Sequence, residues 1–144
     1  MTLTRRQCLG VSGSVAALVL GFASPAFAGS YLNRAALLLF QGRSESDFLR
    51  VRYGDKELAR LIHRLARARM DAANDMLVPP EVVQAHPHLL LVFENYERAA
   101  DAALAEQAER FLVFSQKAQD EERTFRAVCR QLGWELPNLR KERS

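Results

Sequence analysis

The chain has 144 residues, of which 49% are hydrophobic and 26% charged, so it allows one domain of ordinary globular composition. Its formal charge of +3 is uneven: removing Arg5 and Arg6 from the 20 basic residues leaves 18 against 17 acidic ones, all beyond position 28. That balance excludes a basic nucleic-acid-binding surface, and with only Cys8 and Cys129 present a disulfide framework is excluded as well.

Residues 1–28 read as a leader. Arg5 and Arg6 form a basic start, Val15 to Ala23 an apolar stretch, and Ala26-Phe27-Ala28 an A-x-A cleavage site, which predicts a mature chain beginning at Gly29 and exported to the periplasm. The apolar stretch is shorter than the ~20 residues a bilayer span needs, so no permanent membrane anchor is expected. Cys8 leaves with the leader, and Cys129, on a helical face with Phe125, Val128 and Leu132, reads as a small buried hydrophobe, a reactive or intermolecular thiol being the alternative.

Thr4-Arg5-Arg6-Gln7-Cys8-Leu9-Gly10 resembles the motif of twin-arginine export signals, with Cys8 where phenylalanine is usual and Gly10 where lysine is common. The likeness covers the leader alone. It implies a bacterial protein that uses the twin-arginine translocase as its partner during export and crosses the membrane already folded.

In the mature part, Ser30 is a good N-cap for a first helix through Tyr31, Ala35 and Leu38. Beyond Gln41 two readings stay open: a break at Gly42, or one helix reaching Tyr53. Gly54-Asp55 stops that helix and caps the next, in which Leu58, Leu61, Ile62, Leu65, Ala68, Ala72 and Met76 share one side; this predicts Leu65 in the core, His63 facing outward and Arg69 at the margin. The surplus of arginines between Arg50 and Arg69 reads as a solvated face. Pro79 and Pro80 end the second helix near Leu77, Pro80 opens a short turn, and Pro87 starts a third helix carrying Leu89, Leu90, Phe93, Tyr96, Ala100 and Leu104. No glycine or proline interrupts residues 98–110, so residues 87–132 are either one helix or two; a turn near residues 104–108 suits a compact domain better. The last helix carries Phe111, Phe114, Ala118, Phe125, Cys129 and Leu132, ends at Gly133 with Trp134 folding back, and leaves residues 138–144 as a polar tail.

Four amphipathic helices with short connections predict an all-α, antiparallel (up-down-up-down) four-helix bundle over residues 29–137. No catalytic signature accompanies it: there is no C-x-x-C-H, E-x-x-H, H-E-x-x-H or glycine-rich phosphate loop. The sequence calls for no cofactor. It leaves open a metal or non-covalent haem site built from inward carboxylates, with Glu45 near the level of Glu97, or from His86 and His88 beside Pro87. An ionised carboxylate is costly to bury alone, so Glu121 and Glu122, flanking the apolar line of the last helix, are expected to neutralise Arg69. The function these features suggest is a non-catalytic binding or interaction module whose partner is another periplasmic protein or a second copy; a metal- or haem-binding bundle is the alternative.

Overall fold

Three short connections turn the chain back on itself. The computed structural model describes residues 25–139, which form α1 (Pro25–Val51), α2 (Lys56–Asn74), a 3-10 turn (Pro80–Val82), α3 (His86–Leu104) and α4 (Ala108–Gln131). They make an antiparallel, up-down-up-down four-helix bundle with no strand among the described residues. Arg5 and Arg6 lie outside them. No described helix is long and apolar enough to cross a membrane.

α1 is continuous. Gly42 lies inside it against the ring of Tyr96, where an added Cβ would come within 3.2 Å of Tyr96 Cδ2, so the glycine serves helix–helix approach and not a break. The helix also begins earlier than Ser30, at Pro25, whose fixed φ suits a first helical position. Ser30 becomes an interior residue whose hydroxyl accepts from Arg34 at 3.1 Å.

The connections follow the turn chemistry of their residues. Gly54 takes φ +99°, and the Asp55 carboxylate accepts from the Leu58 N–H at 3.0 Å to cap α2. Pro79 is extended and Pro80 opens the 3-10 turn; α3 then starts one residue before Pro87, at His86. Between α3 and α4 the left-handed residue is not a glycine: Glu106 sits at φ +58°. The Gln107 N–H reaches the Ala102 carbonyl at 2.9 Å and the Glu106 N–H the Ala103 carbonyl at 3.1 Å, closing a Schellman turn. α4 ends the same way at Gly133 (φ +87°), with the Trp134 N–H on the Cys129 carbonyl at 2.9 Å. Trp134 and Leu136 then pack on the core.

α3 is the central helix, packed closely on α2 and α4, while α1 packs less closely on the other three. The larger core cluster gathers Tyr31, Leu39, Phe93, Tyr96 and Phe125; a second, near the other end, surrounds Ile62 and Phe111 with the alanines of α3. α2 departs from its expected phase. Ala59, Ile62, Ala66, Arg69 and Ala73 are buried, whereas Leu61 is 46% and Leu65 37% exposed. At ~100° per residue the buried face is turned roughly 80° from the middle of the apolar stripe. Alanines on that face let α2 approach its neighbours closely, and the larger leucines stay outside.

Candidate functional site

Each side chain singled out in the sequence has a definite neighbour. Arg69, only 8% exposed, donates from both terminal nitrogens to the two carboxylate oxygens of Glu45 on α1. It does not meet Glu121 or Glu122, because the α2 rotation aims it at α1 and the continuous α1 brings Glu45 to its level. Glu121 instead meets His88 Nδ1 at 2.8 Å, and Glu122 accepts from Arg126 one turn on in α4. Glu97 lies 3.8 Å from Arg67 on the outer side of α2 and α3, apart from Glu45. His86 Nδ1 is 2.9 Å from the Tyr31 hydroxyl, and burial lowers its pKa below the ordinary histidine value. The two histidines thus turn to different helices. Among the described residues no three His, Cys, Asp or Glu side chains converge on one point.

Cys129 is fully buried, and burial pushes its thiol up to about 11, with Arg126 acting weakly the other way. Its neutral thiol packs as a small apolar group.

A concavity lies elsewhere, between α1, α4 and the returning segment after Gly133. This cleft of about 540 Å³ has apolar walls from Leu39, Phe40 and Leu136, while Arg43, Glu122, Arg126 and Arg130 supply charge. Asn138 and Leu139 border it, so this part of the expected tail lies on the bundle. Glu122, Arg126 and Arg130 are set one turn apart along α4 and share one side. Glu122 is 6% exposed; its Oε1 accepts from Arg126 Nε and Nη2, both at 2.9 Å. Its Oε2 is buried with no protein partner, and so is Arg43 Nε. Outside the cleft lining, the Tyr96 hydroxyl on α3 is also unpartnered, held protonated above the usual tyrosine range by burial first and by the Glu122 charge second.

Unpaired buried polar atoms are costly, and Glu122 Oε2 and Arg43 Nε, on α4 and α1 beside one cleft, form an acceptor and a donor awaiting complementary groups. Arg43 and Arg130 suit an oxyanion, while Glu122 Oε2 suits an N–H or O–H. Among the described residues, the charged side chains lining the cleft are Arg43, Glu122, Arg126, Arg130 and Glu135.

Sequence reading marked Glu122 but not its cleft. The signal was present in the one-turn spacing of Glu122, Arg126 and Arg130; Arg43 could not be added while α1 had two readings at Gly42. The chain matches no protein-family model, no curated protein and no solved structure.

Proposed function

We propose that this protein is an exported, non-catalytic binding module of the bacterial periplasm, and that the cleft between α1 and α4 takes a small organic anion carrying a hydrogen-bond donor. One observation carries the ligand reading: Glu122 Oε2 and Arg43 Nε line one cleft, buried and without protein partners. The ligand's carboxylate or phosphate pairs with Arg43 and Arg130, and its hydroxyl or ammonium group satisfies Glu122. Export rests on Arg5, Arg6 and Ala26-Phe27-Ala28, with the twin-arginine translocase as the transport partner.

The ligand test is a 15N-amide NMR titration with small hydroxy acids and amino acids at millimolar concentration. Shifts should concentrate on the cleft walls and vanish in Arg43→Gln and Glu122→Gln variants that keep the helical circular dichroism of the parent. The parent amides staying unmoved across both ligand series, or moving equally in the variants, sinks the assignment. For export, changing Arg5 and Arg6 together to Lys keeps the positive charge and should leave unprocessed chain in the cytoplasm; unaltered processing points to the general secretory route.

A further inference from the structure

The turned phase of α2 leaves a second recognition element outside the bundle. Leu61 and Leu65 are exposed, and Ala68 and Ala72 continue the same row toward the C-terminal end of the helix. The spacings 61, 65, 68 and 72 alternate by four and three, the pattern of a seam that packs against another helix. Half of this row is large and half small.

That order is self-complementary. In an antiparallel pair of α2 helices related by a two-fold axis near residues 66–67, Leu65 of one copy falls opposite Ala68 of the other, and Leu61 opposite Ala72. Each leucine fills the space left by an alanine, and the pattern repeats on both sides of the axis. The register also decides the flanking charges, because in an antiparallel pair equivalent edges of the two helices face one another. Arg64 of one copy then meets Asp71 of the other, twice by symmetry. Both side chains are exposed, and neither has an ion-pair partner within the described residues of its own chain. On the other edge of the row, the Arg69–Glu45 pair places α1, whose Phe48 is half exposed.

We infer that the protein forms an isologous homodimer through antiparallel packing of the Leu61, Leu65, Ala68 and Ala72 row of α2. The parallel arrangement is disfavoured: it opposes Leu65 to Leu65 and Arg64 to residues on the buried side, and offers Arg64 no carboxylate from the second copy at this edge. The cleft between α1 and α4 lies on other faces of these helices, so dimerisation and ligand binding are independent.

Sedimentation equilibrium on the full chain over a range of concentrations is the test, with thermal unfolding showing that each variant is folded. The parent should pass from monomer to dimer as concentration rises. Leu65→Glu should hold it monomeric. Arg64→Asp, which opposes two carboxylates, should move the transition to higher concentration, and the swap Arg64→Asp with Asp71→Arg should bring it back. A parent that stays monomeric throughout, or a dimer indifferent to Leu65→Glu, overturns the inference; a swap that fails to restore association overturns the antiparallel register.

Discussion

Arg69 of α2 holds both carboxylate oxygens of Glu45 on α1 in a two-pronged pair, 24 residues apart in sequence and largely shielded from water. It ties α1, the least closely packed helix, to the rest of the bundle. Removing one partner from such a pair leaves the other charge half-buried, so Arg69→Met is expected to cost about 2–4 kcal/mol, and Glu45→Gln somewhat less. The double variant should recover much of that loss. Urea unfolding of the four members of the cycle checks it, and combinations of Arg69→Met with Glu121→Gln or Glu122→Gln should be additive.

The phase of α2 has a direct thermodynamic signature. Ile62 is buried in the cluster with Phe111, and Ile62→Ala should cost about 2–4 kcal/mol through lost contacts and a residual cavity. Leu65→Ala should cost under about 1 kcal/mol in the monomer, because more than a third of that residue already meets water. Denaturation at dilute protein concentration separates the two, and a larger loss at Leu65 would return α2 to the orientation its apolar stripe suggested.

His86 gives stability a dependence on acidity. Burial disfavours its imidazolium, so its folded pKa lies below the ordinary value of 6.5, and below that pH the unfolded chain binds more protons than the folded one. Its contribution is therefore complete above about pH 6.5 and is lost as pH falls toward the folded pKa. His86→Asn keeps an acceptor for the Tyr31 hydroxyl and removes the titration. Unfolding free energies measured in steps from neutral pH to mild acid should fall more steeply for the parent than for this variant.

At the α3–α4 joint, Glu106 occupies a left-handed conformation that costs a side-chain-bearing residue about 1 kcal/mol or more relative to glycine. Its exposed contact with Lys56, 3.3 Å, offsets little of this. Glu106→Gly should raise stability by about 0.5–1 kcal/mol, and Glu106→Ala should not. Chemical denaturation with matched slopes decides between them.

The joints of this bundle were readable where special residues mark them. Gly54-Asp55, Pro79-Pro80 and Gly133 each announce their backbone geometry, and the turn after Leu104 followed only from the length of rod it avoids. Its Schellman geometry, built on Glu106, carries no glycine to reveal it. Helix existence was legible for the same reason that apolar periodicity is strong. Phase was not: a periodic stripe says which side of α2 is apolar, but the alanines at 59, 66 and 73, small enough for close contact, decided which side is buried. The pairing of Arg69 followed that rotation, so one error of phase displaced both the core position of Leu65 and the ion pair. Glu45 pointed inward as a continuous α1 required. The cleft was harder still, since it needs α1, α4 and a segment beyond the last glycine to be placed together.

Ala28 is the fourth residue of α1 and fully buried. Proteolytic nicking favours exposed, loosely held chain, so an enzyme cutting the bond to Gly29 must act while the first turn of α1 is unwound. Under the proposed export, cleavage and folding compete for one stretch of backbone, and their order is set by how fast that turn winds down onto its neighbours. Once residues 25–28 dock, the bond between Ala28 and Gly29 is protected from cleavage.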